Sequence, residues 1–389
     1  MFAVNQNTIQ VLFALVRNAV RGDKLTEQER DLCKNKIFPD LMTVSRKHDI
    51  AHLVAAGLDN NLLLAGGNEE IGQEILKAIF RYTQQNYEYC ELCEALESAE
   101  IPFIPLKGSV LREYYPEPWM RTSCDIDILV HHKDLAAAIS YLVEKQRYVE
   151  KGRATHDVAL FTKRGNRIEL HFDLVEEGRA NQANDVLKEV WNNASIKSGH
   201  KYWYEMSDEY FYFYHIAHMA KHFESGGCGI RPFIDLWILD NIEGANKQSR
   251  DELLRKGGLL KFTEIARRLS RCWFNGEKYD EISVRVQNFI LGGGVYGTSQ
   301  NKVALQQERK GGRIGYLFSR MFVPYSKLKR YYPVLDKHRW LTPVMQIRRW
   351  FMLLRPDVAK MAKNELSVNK KIDKSKAEEM NLFLLEIGL

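Results

Sequence analysis

Asp125 and Asp127 stand one residue apart in a short apolar run, DIDILV, and that spacing is the clearest chemical signal in the chain. In a strand, alternate side chains share a face, so the two carboxylates point the same way, about 7 Å apart along the backbone. Like charges that close repel. A divalent cation, Mg2+ (or Mn2+), removes the conflict and bridges triphosphate oxygens at the same time. Glu169 adds a third carboxylate on the polar side of a later alternating segment, residues 167–174, where it could deprotonate or orient an attacking hydroxyl in a two-metal in-line displacement. His171 shares that face and suits either proton-transfer tuning or a hydrogen-bonded structural place. Upstream, Lys107-Gly108-Ser109 follows the apolar segment IPFIPL and opens a helical pattern at residues 110–115. A helix start offers free N–H groups and the positive end of the helix dipole to a phosphate. Gly108 lets the backbone approach it, the Ser109 hydroxyl can donate to it, and Lys107 adds positive charge. Arg121, just before the aspartates, could reach a phosphate or pair with a nearby carboxylate.

Each piece has an ordinary explanation. Gly-Ser before a helix is a common cap, an Asp-x-Asp strand is often a solvated edge, and any alternating strand shows a polar face. Their order along the chain is what points to chemistry, and it requires particular elements to hold them. Residues 101–106 and 125–130 read as strands, with 133–145 as a helix between 125–130 and a hairpin. That hairpin has arms at 158–162 and 167–174 and a turn at 163–166. Helical periodicity covers 8–20, a Leu-rich region at 34–64 and 69–97, with a break at Gly66-Gly67. It resumes at 209–223, 231–242 and 259–272. Gly292-Gly293-Gly294 and Gly311-Gly312 mark loops, and the charged tail from Leu366 contains a dockable helix at 380–387.

The segment LKGSVLREYYPEPWMRTSCDIDILV, then a helix, then RIELHFDL, resembles the DNA polymerase β-type nucleotidyltransferase superfamily. More narrowly, it is similar to a bacterial family of largely uncharacterised nucleotidyltransferases with Leu-Lys-Gly, Arg-x-x-x-Asp-x-Asp and a Glu-Leu-His strand. The resemblance covers roughly residues 98–175 and continues more loosely through HIAHMAKH and RPFIDLWIL. It implies an α+β fold, a polymerase β-like nucleotidyltransferase core (a small mixed sheet with helices) flanked by N- and C-terminal helical regions. It further implies that Gly108 and Ser109 bind the triphosphate and that Asp125 and Asp127 are metal ligands. Glu169 would be the third acidic position, with Asp173 on the same face as its competitor. The implied reaction is Mg2+-dependent transfer of a nucleoside monophosphate from an NTP, ATP being the expected one, with release of pyrophosphate. The acceptor stays open between a small molecule, tRNA, a protein and a sugar or lipid intermediate. One departure is the gap between Ser109 and Asp125, longer than the superfamily spacer. The connection at 115–124, with Pro116 and Pro118, has to absorb the excess.

Other clusters carry less. Cys90 and Cys93 form a lone CxxC on a helical segment, better suited to structural thiols than to a metal. His215, His218 and His222 share one helix face without an evident fourth ligand, which favours polar contacts at the domain junction, along the nucleotide cleft, over zinc. Arg231 and Asp235, one turn apart, suggest an ion pair. His156 resembles His171 with less support.

A length of 389 residues implies two or three domains. Texture divides them as a helical region (1–97), the core (98–178), a helical region closing the cleft (179–300) and a basic, aromatic C-terminal region (301–389). The net charge of +6 conceals an asymmetry: residues 309–363 hold 14 Lys or Arg against Asp336 and Asp357, a balance of +12, which leaves −6 elsewhere. Interleaved with aromatics, that stretch could contact RNA, lie on an anionic membrane surface, or pack as helices with a solvated basic face. No apolar run reaches about 18 residues, so no transmembrane segment is expected. Scattered cysteines and the absence of a leader pattern suit the cytoplasm. The rival to an enzyme is a non-catalytic binding protein that keeps this fold and uses the basic region to hold RNA or membrane. The intact acidic pair argues against it, because a purely structural protein gains nothing from placing those charges together.

Overall fold

A computed structural model describes residues 5–33, 38–60, 69–175, 182–332, 334–352 and 355–389. Among them two compact units are distinguished, one within residues 1–219 and 229–295, the other within 220–228 and 296–389.

The first unit opens with α1 (Gln6–Arg21), α2 (Glu27–Cys33), α3 (Phe38–Lys47), α4 (Ala51–Asn60) and α5 (Glu69–Ser98). These carry the helical segments expected at 8–20, 34–64 and 69–97; residues 34–37, 61–64 and the Gly66-Gly67 break lie outside the described residues. Asn5 caps α1 by accepting from the Asn7 N–H at 3.0 Å, and Ile9, Leu12, Phe13, Val16 and Val20 form its buried stripe. Where α1 meets α4 the two backbones nearly touch. A Cβ on Gly57 would stand 2.4 Å from the Leu15 carbonyl oxygen, so only glycine permits the approach.

A five-stranded mixed sheet follows, built from β1 (Phe103–Pro105), β2 (Asp125–Val130), β3 (Val149–Arg153), β4 (Asp157–Phe161) and β5 (Arg167–His171). The strand order is β1-β2-β5-β4-β3, with β2 and β5 parallel and the other pairs antiparallel. Between β1 and β2 lies the single turn α6 (Gly108–Leu111), and between β2 and β3 lies α7 (Leu135–Glu144). Alternation does the sorting. Ile126, Ile128, Ile168, Leu170, Val158 and Leu160 are buried on one face against α5 (Leu92, Leu96) and α7 (Ala138, Leu142). The opposite face of β2 and β5 is therefore left to the alternate residues, Asp125, Asp127 and Leu129 on β2 and Arg167, Glu169 and His171 on β5.

Strand β3 escaped the sequence reading because every one of its residues is exposed; backbone pairing with β4, rather than an apolar pattern, makes it a strand. The three-residue strands β6 (Ala194–Ile196) and β7 (Tyr204–Met206) were missed because they are too short to show a period. Helix α8 (Gln182–Leu187) precedes them. Then come α9 (Asp208–Glu224), whose residues to Met219 belong to this unit, α10 (Arg231–Asp240), α11 (Lys247–Lys256), α12 (Leu260–Phe274) and α13 (Glu281–Gly292). Trp273 of α12 stacks on Phe13 of α1 at 4.3 Å, joining the N-terminal helices to the helical half.

The second unit contains α14 (Ser299–Arg309), α15 (Gly312–Met321), α16 (Tyr325–Tyr331), α17 (Val334–Lys337), α18 (Thr342–Met352), α19 (Pro356–Lys371) and α20 (Lys374–Glu386). Val303, Ala304, Tyr316 and Ile372 form its small core. The charged tail folds here: Phe383 and Leu384 of α20 are buried. Among the described residues, no helix is long and apolar enough to cross a membrane.

Two expectations follow from this packing. Gly57→Ala should lower stability by about 1–3 kcal/mol through steric overlap, although alanine is the better helix former. Chemical denaturation checks the sign, and a stabilised variant would refute the close crossing. His48 and His52 are buried, and burial above all pulls both down to about 4 from 6.5. The unfolded chain then binds protons that the native chain refuses, so the stability they contribute is complete above pH 6.5 and is lost as pH falls towards 4. Urea denaturation at pH 7 and pH 5 should differ by on the order of 2 kcal/mol per histidine. A flat profile over that window would contradict their burial as neutral rings.

Candidate active site

The parallel pairing of β2 with β5 sets Asp125 opposite Arg167, Asp127 opposite Glu169 and Leu129 opposite His171. One face of two neighbouring strands thus carries Asp125, Asp127, Glu169 and His171. Asp127 is only 3% exposed. Its Oδ1 accepts from Lys107 Nζ at 2.6 Å and from His171 Nε2 at 2.8 Å. Glu169 accepts from Arg167 at 2.6 Å and lies 3.9 Å from Lys107 Nζ and 3.6 Å from His171 Nε2. Asp127, Glu169 and His171 offer ligand atoms that all lie within 4.8 Å of one another, a spacing that could hold a metal ion. His156, Asp157 and His171 form a second such group, with the two imidazoles stacked 5.7 Å apart.

The electrostatics follow from this crowding. Burial alone would raise Asp127, but the Lys107 ammonium and the His171 hydrogen bond hold it well below the usual carboxylate range. Asp125 has no such partner. Burial, and then the negative charge of Asp127, push it up to about 6, with Lys107 only partly offsetting them. His171 is raised despite its burial, because Asp127 and Glu169 accept from it. Lys107 is likewise raised against the pull of burial, by Asp127 first.

Lys107 reaches Asp127 from an unusual backbone. Its φ of 47° and ψ of −121° place a side-chain-bearing residue where glycine is normal, at a cost of order 1–3 kcal/mol. Its carbonyl accepts from the N–H groups of Val110 and Leu111, which starts α6 immediately afterwards. Gly108 fits tightly: an added Cβ would lie 3.1 Å from Ser123 Cβ, while its carbonyl accepts from Arg112 Nε at 3.0 Å. Ser109 is buried, and its Oγ finds no hydrogen-bond partner among the described residues. The long gap before Asp125 is taken up by two 3-10 turns, Arg112–Tyr114 and Pro118–Met120.

Of the residues singled out from sequence, Lys107, Asp125, Asp127, Glu169 and His171 come together, with Gly108 and Ser109 in the adjoining turn. Asp173 does not join them; it is exposed and accepts from the Val175 N–H. Arg121, expected among the nucleotide-binding groups or in an ion pair, makes the ion pair. It grips Asp235 with two hydrogen bonds, at 2.7 and 2.8 Å, and donates to the Thr122 carbonyl. The expected Arg231–Asp235 pair is therefore corrected, since Arg231 instead pairs with Asp49 at 2.7 Å. Helical spacing alone suggested that pair, and the fold brought both charges better partners from elsewhere. Among the three histidines of α9, His215 donates to the Pro232 carbonyl at 3.0 Å. None of the three belongs to a convergent metal-type group among the described residues. Cys90 and Cys93 are free thiols on α5.

One residue went unnoticed in the sequence. Tyr214 of α9 is buried and raised, first by burial, and it interacts with Lys107, Asp127, Glu169 and Asp125. It therefore lies within electrostatic range of the carboxylate cluster. The only sequence signal was its place in an aromatic run, YFYFYH, where every neighbour looked like core.

A mixed sheet, with carboxylates on adjacent parallel strands beside a Lys-Gly-Ser turn that starts a helix, is consistent with a nucleotidyltransferase core. A family model described as an uncharacterised nucleotidyltransferase matches residues 37–275, more than half of the chain, and the chain belongs to that family. Neither the curated proteins nor the solved structures gave a match.

The Arg121–Asp235 pair yields a direct test. Asp235→Ala strands a buried guanidinium and should cost about 3–5 kcal/mol in chemical denaturation. A loss below about 1 kcal/mol would mean that Arg121 has another partner and is free to meet a ligand.

Proposed function

We propose that this chain transfers a nucleoside monophosphate from an NTP, with ATP the expected donor, to an acceptor hydroxyl or similar nucleophile, releasing pyrophosphate. The observation that carries the reading is that Asp125, Asp127 and Glu169 share one sheet face beside the Lys107–Ser109 turn, with the ligand atoms of Asp127 and Glu169 within 4.8 Å of each other. Three carboxylates crowd this face beside Lys107 and Arg167, and burial first, then the negative charge of Asp127, lifts Asp125 to about 6. Hard oxygen donors with excess negative charge fit a divalent ion such as Mg2+ or Mn2+. Asp125, Asp127 and Glu169 would hold it, and when bound it would neutralise charge developing on the transferring phosphoryl group.

The chain's own groups supply the rest. The unpartnered Ser109 hydroxyl suits a phosphate oxygen, because a buried hydroxyl without a partner is costly until something accepts from it. Gly108 keeps the backbone of the same turn open to close approach, and Lys107 contributes a fixed positive charge. Glu169, tethered by Arg167, would orient or deprotonate the acceptor hydroxyl. His171 fixes the orientation of the Asp127 carboxylate by donating to it. Arg121, held by Asp235, braces the connection between the turn and β2. The cytoplasm, where NTPs are abundant, is the expected setting.

Thermal-shift measurement with each NTP, with and without Mg2+, tests the proposal. Wild type should gain stability with one NTP and Mg2+ together, by mass action. Asp125→Asn should keep the apo melting temperature and lose that gain. Asp127→Ala should lose it as well, but it also strips Lys107 and His171 of their partner, so Asp125 is the cleaner variant. A cooperatively melting wild type that no NTP stabilises, or an Asp125→Asn variant that responds in full, would overturn the assignment.

A further inference from the structure

The second unit presents a surface that a solvated helical bundle has no reason to build. In α15, Tyr316 is buried, with its hydroxyl bonded to Glu365 of α19, and Arg313 Nε donates to the Ile372 carbonyl at 2.7 Å. The outward positions are Ile314 (71% exposed), Phe318 (59%) and Met321 (52%), spaced i, i+4, i+7. In α18, Gln346 turns inward, while Val344 (50%), Ile347 (49%) and Phe351 (65%) face out at i, i+3, i+7. Each helix thus carries a complete apolar stripe, and each directs it to water.

The stripes belong to neighbouring helices. Trp350 Nε1 and Arg349 Nη1 of α18 donate to the Met321 carbonyl at the end of α15, at 2.9 and 3.1 Å. Phe322 bridges them, stacked on Phe318 at 5.9 Å and edge-on to Trp350 at 5.5 Å. Trp340, 74% exposed, stands just ahead of α18. Around these stripes the chain is strongly basic, with 14 Lys or Arg against Asp336 and Asp357 over residues 309–363. Lys327, Arg339 and Arg348 are all exposed.

We propose that this unit docks on an anionic lipid surface, with α15 and α18 lying in the interface. Charge complementarity selects the occupant. The balance of +12 over this stretch attracts phosphate-bearing headgroups, and the apolar stripes then have an acyl boundary to enter. Nucleic acid would use the same cations and could stack on Phe318 or Trp340, but it gains nothing from Ile314, Val344 and Ile347, which have no ring to stack. Packing with a solvated basic face is the arrangement the exposures contradict, because the apolar groups share the outside with the charges. With no helix able to span a bilayer among the described residues, the mode is surface association. This inference is independent of the nucleotidyltransferase assignment, and its readout involves no turnover.

Co-sedimentation of the full chain with vesicles tests it. One set is phosphatidylcholine alone and the other an equal mixture with phosphatidylglycerol. Binding should be confined largely to the anionic vesicles. The triple variant Ile314→Ser/Val344→Ser/Phe351→Ser changes only exposed side chains and should melt as wild type does, yet lose affinity by at least about tenfold. Lys327→Gln/Arg339→Gln/Arg348→Gln should weaken binding as well. The proposal is overturned if neither vesicle binds, or if the triple variant binds as well as wild type and salt alone removes it. It also falls if a single-stranded RNA is bound in preference to the anionic vesicles. A wild-type dimer dispersed by the triple substitution would overturn it too, since a second copy then covers the stripes.

Discussion

Taking the Asp127 carboxylate almost entirely out of water is the constraint around which the first unit is arranged. An isolated buried carboxylate would cost many kcal/mol, so its surroundings have to supply charge and hydrogen bonds in compensation. Lys107 does so at 2.6 Å and His171 at 2.8 Å. Meeting that demand shapes two elements at once. The turn after β1 adopts a glycine-like conformation at Lys107, and β5 must pair with β2 in the one register that puts His171 and Glu169 beside Asp127. A slip by one residue would bring Ile168 and Leu170 to that face and bury charges in the core. Core packing and site geometry are therefore one requirement, imposed by strand alternation.

A second layer of charges holds the segment that links the turn to β2. Asp235 from α10 takes Arg121 in a bidentate pair and also accepts from the Tyr115 hydroxyl at 2.7 Å. Asp49 takes Arg231 and the Thr122 hydroxyl. Gln85 of α5 exchanges two hydrogen bonds with Ser123. The stretch between Gly108 and Asp125 contains only short helical turns and no strand, and these contacts from flanking elements hold it in place of a backbone ladder. The flanking helices thus serve as supports for the carboxylate face as well as a covering for the sheet.

The second unit obeys a different logic. Its core is small, resting on Tyr316, Val303, Ala304 and Ile372, and much of its apolar surface is turned outward. Matching residues of the family end at 275, before α14 begins. In the first unit the sheet buries apolar side chains on one face and presents the carboxylate cluster on the other. In the second, exposed apolar stripes and cations occur together, which is the combination expected of a surface made to meet something amphipathic.

Much of this was legible in the linear sequence, for definite reasons. Short-range alternation in DIDILV and RIELH placed Asp125, Asp127, Glu169 and His171 on polar strand faces, because a two-residue period leaves no other choice. Helical stripes such as Ile9 to Val20 were equally local. What the sequence could not supply was partnership between distant residues. Helical spacing suggested Arg231 with Asp235, yet Asp49 and Arg121, far away along the chain, took those charges. Tyr214 looked like core in an aromatic run and is buried within electrostatic range of the carboxylates. Strand β3 has no apolar pattern at all and exists through its ladder with β4. Periodicity records which way a side chain points from its own backbone; which charge it meets there is set by tertiary packing, because electrostatic pairing depends on distance in space and burial, and neither is a local property.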